Sequence, residues 1–124
     1  MAIHKRDKFP DNLNEIAALL KVMSHPARLE IIRVLSNSRR CICKDLVRVL
    51  PLSQATVSQH LRELEKHKLI KRENVGTKSV FSLNYNMMLK MNKLFSSYHR
   101  KIFGNYRKRA IKICDYIKKQ RGGL

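Results

Sequence analysis

The sequence contains no apolar run that approaches the roughly 18 residues needed to cross a membrane. No apolar stretch follows the basic residues near the N-terminus, so a secretory signal is not visible. Cysteine is scarce, and an odd count of three without an export signal favours reduced thiols over a disulfide framework. We therefore expect a cytoplasmic protein without a membrane partner.

Acidic residues are also scarce, with nine Asp and Glu against 27 Lys and Arg. The net charge of +18 makes a compact chain repel itself and favours a polyanionic partner. Nucleic acid is the leading candidate, because each neutralised phosphate releases condensed counterions. The sequence has no phosphate-cradling glycine loop, no carboxylate pair and no nucleophile with a base at motif spacing, so we do not expect an enzyme.

The spacing of apolar residues predicts a mainly α-helical chain with a small β-hairpin, forming one domain over residues 1–124. Helices are predicted over 12–23, from Pro26 to the polar run at 36–40, and over 44–50, 52–68 and 86–119. A short extended segment at 41–43 and paired strands at 69–72 and 79–83 complete the order. Ser24 is predicted to cap the second helix, where Pro26 suits the first turn.

Apolar stripes on the terminal helices predict a homodimer. The predicted stripes are Leu13, Ile16, Ala17, Leu20 and Met23 in the first helix, Leu29, Ile32 and Leu35, widened by Ile31 and Val34, in the second, and Met91, Leu94, Phe95, Tyr98, Ile102 and Phe103 in the last. The last stripe is larger than a small core can cover. Paired with the first helix, 12–23, the last helix, 86–119, offers a self-complementary two-fold interface.

Two short helices followed by a hairpin are the layout of a winged helix-turn-helix, whose second helix reads DNA. In the 52–68 helix, capped by Ser53, Val57, Leu61 and Leu64 share the inward face. The opposite face carries small, amide, hydroxyl and guanidinium groups that suit base edges and phosphates. The predicted DNA-binding residues of this helix are Ser53, Gln54, Ala55, Thr56, Ser58, Gln59, His60 and Arg62.

His60 lies about 60° from the inward direction, so it is expected to pack or to orient a phosphate rather than bind a metal. Lys71, Arg72 and Lys78 lie on or beside the hairpin, where they can reach phosphates or the minor groove. A two-fold dimer would place its two recognition helices about one DNA turn apart on an inverted repeat. The predicted partners are thus double-stranded DNA and a second copy of the chain.

Three stretches resemble the ArsR/SmtB family of repressors: HPARLEII at 25–32, CICKDL at 41–46 and LSQATVSQHL at 52–61. Residues 76–83 resemble the wing of that family. The resemblance implies a homodimeric winged helix-turn-helix repressor that occupies operator DNA and leaves it when an inducer binds, often a metal or metalloid ion.

Cys41 and Cys43 lie where metalloid-sensing members of that family carry a Cys-x-Cys pair, and thiolates suit a soft metal or metalloid ion. The third cysteine common in those sensors is missing, since Leu46 and Val47 occupy that region. Two alternatives compete. The pair are small core residues that point inward from a short strand, or one of them acts with Cys114 as a redox or persulfide-responsive pair, as the resemblance to some family members implies; their Cα atoms would then have to lie within roughly 7 Å. No cofactor is certain.

A non-specific architectural protein is the rival function, because the end of the last helix is strongly basic. Its cations are Arg100, Lys101, Arg107, Lys108, Arg109, Lys112, Lys118, Lys119 and Arg121, against Asp115 alone. The uncharged outward face of the 52–68 helix argues instead for sequence-specific binding, because hydrogen-bond pairs rather than bulk charge discriminate bases.

Overall fold

The computed structural model of the chain describes residues 8–121; residues 1–7 and 122–124 of the predicted domain lie outside the described residues. The elements are α1 (Asp11–Met23), α2 (Pro26–Asn37), β1 (Cys41–Ile42), α3 (Cys43–Val49), α4 (Gln54–Lys66), β2 (Ile70–Val75), β3 (Lys78–Leu83) and α5 (Tyr85–Gln120). This order confirms the predicted mainly helical fold with a small hairpin. The chain forms two compact units, residues 1–91 and 92–124. Between residues 8 and 121 no helix is both long and apolar enough to span a membrane.

The cap of α2 is His25, so the prediction that Ser24 caps this helix is wrong. The His25 Nδ1 accepts a hydrogen bond of 3.0 Å from the Ala27 amide, and Pro26 occupies the first turn as predicted. Ser24 serves the preceding helix instead, because its hydroxyl donates to the Lys21 carbonyl at the end of α1. The tight α1–α2 turn is therefore held from both sides.

The predicted apolar stripe of α1 is largely on its exposed side. Ile16, Leu19 and Val22 are buried, whereas Leu13 and Leu20 are 37% and 54% exposed. The helix has apolar residues on two adjacent faces, and the face that packs on the rest of the unit is the one containing Leu19 and Val22. The other face remains open in the single chain.

The stripe predicted for α2 is confirmed only in part. Leu29 is 50% exposed, whereas Ala27, Ile31 and Leu35 are buried. Apolar residues at 29, 31, 32, 34 and 35 allow more than one inward direction, so the periodicity of this short helix does not fix it. Packing against α4 and β3 selects the Ile31 side.

The core of the first unit lies between α2, α3, α4 and the sheet. Its most deeply buried side chains are Ile31, Leu35, Leu46, Val57, Leu61, Leu64, Leu69 and Ile70. Burying one such side chain stabilises the fold by about 1.5–3 kcal/mol relative to leaving it in water. This core fixes the side of α4 that faces inward.

The sheet is antiparallel with the order β1-β3-β2, so the short segment at Cys41 adds a third strand to the predicted hairpin. Phe81 and Leu83 are buried on one face of β3, as the alternation predicted. The strands run further than expected and leave a two-residue turn at Gly76 and Thr77. Gly76 has a φ of +61°, a conformation that side chains strain and that tight hairpin turns require.

Candidate nucleic-acid interface

The helix α4 is fixed at its start and along its inner side. Ser53 caps it as predicted, with its Oγ accepting a hydrogen bond of 3.3 Å from the Thr56 amide. The two hydroxyl oxygens of Ser53 and Thr56 also lie 2.9 Å apart. Val57, Leu61 and Leu64 are at most 2% exposed, which confirms the predicted inward face. The rotation of α4 about its own axis is therefore set by the core.

Opposite that buried side, α4 presents an almost uncharged polar surface. Gln54, Ala55, Gln59 and Arg62 are exposed, as is the cap Ser53, while Thr56 and Ser58 are half-buried. The first turn contains no acidic residue that would repel a phosphate. Amides, hydroxyls, a methyl group and one guanidinium are the groups that pair with base edges in a major groove.

His60 does not belong to this surface, which corrects its prediction as a DNA-binding residue. It is 8% exposed, and its Nδ1 accepts a hydrogen bond of 3.1 Å from Arg28 Nε. Its ring centroid lies 4.4 Å from that of His25. Burial, and then the electrostatic influence of the neighbouring His25 and Arg28, lower the pKa of His60. The residue connects α2 to α4, which confirms the expectation that it packs.

The hairpin brings two of its three predicted cations to one face. Lys71 pairs with Ser82, and Lys78 with Val75, so both lysines lie on the side opposite the buried Phe81. Arg72 lies on the other side, directly across from Phe81, and its Nε is 3.2 Å from a carboxylate oxygen of Glu65 in α4. Arg72 therefore links the wing to α4, whereas Lys71 and Lys78 are exposed.

A second link in the wing was missed by the sequence analysis. Arg40 Nη2 lies 2.5 Å from Glu73 Oε2, joining the residue before β1 to β2 across the intervening strand β3. No sequence signal pairs these positions, because their proximity follows from the register of three strands. Their side chains are 56% and 69% exposed, so this ion pair contributes little stability.

The cysteines occupy three different environments. Cys41 is buried opposite Phe81, the environment expected for a core residue. Cys43 begins α3 instead of continuing the strand; it is half-buried, and its Sγ lies 3.5 Å from Ser58 Oγ in α4. Cys114 is exposed on α5. The prediction that Cys41 and Cys43 both point inward from a strand is thus wrong for Cys43, because the strand ends at Ile42.

The two neighbouring cysteines do not make a complete metal site in one chain. Within the described range 8–121, no cluster of three or more His, Cys, Asp or Glu side chains is arranged to hold a metal ion. Two thiolates leave a tetrahedral soft ion short of protein ligands. The environments of Cys41 and Cys43 therefore do not fit a metal or metalloid ion without a further ligand.

Comparisons with known proteins agree with this geometry. A family described as a helix-turn-helix domain matches residues 23–73. The chain is 36% identical over 74 residues to the arsenical resistance operon repressor of Staphylococcus xylosus, covering 60% of this chain and 70% of that protein. It is 37% identical over 73 residues to the transcriptional repressor PagR of Bacillus anthracis, covering 59% of this chain and 73% of PagR.

Solved structures show the same likeness. The crystal structure of PagR matches with a TM-score of 0.52 at 38% identity, covering 58% of this chain and 82% of that one. Reduced HlyU from Vibrio cholerae matches with a TM-score of 0.58 at 26% identity, covering 71% and 93%. Fold and interface thus define a winged helix-turn-helix DNA-binding protein. The chain belongs to the ArsR/SmtB family, and it is a DNA-binding transcriptional repressor.

Proposed function

We propose that the repressor acts as a homodimer that binds an inverted-repeat operator in the cytoplasm, by binding alone and without catalysis. The observation that carries this proposal is the uncharged, exposed face of α4, which the core and the Ser53 cap hold in one orientation. A dimer with two-fold symmetry presents two such helices to successive major grooves, about 34–36 Å apart.

The proposed contacts divide into two kinds. Residues on α4 meet base edges and the nearest phosphates, and the wing lysines meet the backbone. The α4 set is Ser53, Gln54, Ala55, Thr56, Ser58, Gln59 and Arg62, and the wing set is Lys71 and Lys78. Arg72 is left out of the wing set, because Glu65 already engages its guanidinium.

The dimer contact is supported by apolar surface that one chain leaves open. On α1, Leu13 and Leu20 are exposed, and between them Ala17 is exposed as well. On α5, Tyr98 and Ile102 are 44% and 50% exposed. Exposed apolar surface of this kind usually marks an interface, and a two-fold axis lets the same surface serve both copies.

The test is selection of binding sites from a pool of randomised double-stranded DNA by the full chain, followed by native mass measurement of the complex. We expect an inverted repeat with half-site centres about 10 base pairs apart, bound by two chains. Recovery of random sequence after several rounds would contradict sequence-specific binding. Recovery of a single half-site bound by one chain would contradict the dimer.

The inducer remains a prediction. Release by a soft metal or metalloid ion at Cys41 and Cys43 is one alternative, and thiol oxidation involving Cys114 is another. The contact between Cys43 Sγ and Ser58 Oγ is the structural feature that would transmit a change at a thiol to α4. Native mass measurement of the reduced protein with a metal and arsenite panel distinguishes these alternatives by the mass added.

Cys43→Ser is the matching variant, with Cys114→Ser as its control. If a thiol-directed inducer acts at Cys43, the Cys43→Ser repressor should stay on its operator at inducer concentrations that release the wild type. Normal release of both variants would assign Cys43 to packing alone. Loss of release in Cys114→Ser as well would favour the redox pair.

A further inference from the structure

The far part of α5 carries a disproportionate share of the positive charge. From Arg100 to Arg121 there are nine Lys and Arg and one acid, Asp115, a net of +8 out of the +18 of the whole chain. Every one of these nine cations is exposed. This is an amount of charge that neither the α4 surface nor the wing accounts for.

These cations are gathered on one side of the helix. At 100° per residue, seven of them fall within an arc of about 140°. We call this set the basic face: Arg100, Lys101, Arg107, Lys108, Lys112, Lys118 and Lys119. Within it, Lys101, Lys108, Lys112 and Lys119 form a straighter row, confined to about 40° and about 27 Å long at 1.5 Å per residue. An extended row of cations suits an extended polyanion.

Five apolar residues of α5 cluster on another side of the helix, whereas Ile111 falls within the arc of the basic face. Tyr98, Ile102, Tyr106, Ile113 and Ile117 cluster in an arc whose centre is about 120° from the lysine row. In the proposed function this apolar side belongs to the dimer contact. The basic face therefore stays open to a partner when the second copy is bound.

The basic face carries seven cations against one acid, Asp115, which forms no ion pair in the part of the chain that the structure describes. The ion pairs there involve Arg33, Arg40, Arg72 and Lys90, and none involves a cation beyond Lys90. Like charges one turn apart, such as Lys108 and Lys112, destabilise an isolated helix. A polyanion laid along the face would remove this repulsion.

We propose that the basic face of α5 is a second DNA-binding surface, which holds the phosphate backbone of double-stranded DNA without reading its sequence. DNA is favoured over other polyanions because the same chain binds DNA through α4, and a tethered second contact benefits from a high local concentration of phosphates. Lysines contacting phosphates release counterions and so make binding salt-dependent. The availability of the face rests on the proposed dimer; its DNA partner rests on the repressor function.

The test compares two full-length variants with equal loss of charge. The face variant carries Lys101→Gln, Lys108→Gln, Lys112→Gln and Lys119→Gln. The control variant carries Lys8→Gln, Lys21→Gln, Lys66→Gln and Lys68→Gln, four exposed lysines in the first unit outside the proposed α4 and wing contacts. Affinity is measured on the selected operator with random flanks and on a random duplex of the same length, from about 50 to 200 mM salt.

In the face variant we expect binding to the random duplex to weaken at least about tenfold at the lowest salt, with the salt slope reduced by about 1 for each lysine that contacts a phosphate. The ratio of operator to random affinity should stay the same, because base readout through α4 is intact. Equal losses in the face and control variants would overturn the proposal, since general charge would then explain them. A failure of base readout would appear separately, because the wild type would then bind the operator and the random duplex with nearly equal affinity.

An acidic membrane surface is the competing partner, because a helix with separate apolar and basic sides can also lie on lipid. Flotation with vesicles of phosphatidylcholine and phosphatidylserine measures this directly. If the wild type floats at about 150 mM salt, the face variant does not, and the DNA salt slope is unchanged, the proposal is overturned in favour of the membrane. Absence of flotation together with the reduced DNA slope supports the DNA surface.

Discussion

Gln59 stands exposed on α4, two residues beyond Val57, which is fully buried. Its amide can donate and accept at once, and so it can form a paired hydrogen bond with the N6 and N7 atoms of an adenine. The Lys71 ammonium on the wing is a point charge that can form an ion pair with a backbone phosphate at any base sequence. At the scale of single residues, specificity and affinity are thus assigned to different side chains.

We expect Gln59→Ala to weaken operator binding by about 1–3 kcal/mol and to leave random DNA almost unaffected. Lys71→Ala is the control, and it should weaken both by the same factor while reducing the salt slope by about 1. Fluorescence anisotropy with the two duplexes measures each case. Equal losses on both duplexes for Gln59→Ala would remove this residue from base readout.

Between elements, α2 and α4 are joined by a small polar cluster. Arg28 donates to the Val22 carbonyl of α1 and to His60 of α4, and His25 caps α2 while its ring contacts that of His60. His25 and Arg28 also line a cleft of about 800 Å³. The hydrogen bond from Arg28 requires that Nδ1 of His60 carries no proton.

This cluster predicts a loss of stability in mild acid. The pKa of His60 is lowered from 6.5 in the fold, so the unfolded chain takes up this proton more readily than the folded one. The stability that the neutral residue contributes is therefore present above pH 6.5 and is lost as the pH falls from there through the lowered pKa. Denaturant unfolding at a series of pH values from 7.5 to about 5 measures the slope.

His60→Asn should flatten that slope, because an amide oxygen can accept from Arg28 and does not titrate. His99→Asn is the control, since His99 is exposed on α5, where its ring stacks on Phe103. A wild-type slope that persists in His60→Asn would place the acid sensitivity elsewhere.

At the scale of the whole molecule, the proposed contacts involve surfaces that a single chain leaves exposed. Two apolar surfaces remain on the terminal helices, and the basic face of α5 remains beside one of them. Leu20→Glu places a charge in the proposed dimer contact without touching the core, because Leu20 is 54% exposed. We expect this variant to become monomeric at micromolar concentration and to lose most of its affinity for the inverted repeat, since two linked half-sites bind far better than one.

Leu29→Glu is its matched control, being 50% exposed on α2 and outside the proposed contact. Sedimentation velocity should show a dimer for this variant and a monomer for Leu20→Glu, with the helical content of both unchanged. A dimer in both cases would move the interface away from α1.

The sequence by itself determined those features of the repressor that depend on neighbours along the chain. The Ser53 cap, the inward side of α4 and the glycine turn of the wing all follow from spacings of a few residues, because helix and hairpin geometry repeats locally. The same spacings in 25–61 carry the family resemblance that the comparisons confirmed.

Only the tertiary structure decided which of two apolar faces α1 buries, where His60 lies and how Arg72 is paired. Each depends on a partner from another element: the rest of the unit for α1, Arg28 for His60 and Glu65 for Arg72. A helix with apolar residues on more than one face can bury any of these faces at a nearly equal free energy. Long-range packing selects one of them, and periodicity contains no information about that choice.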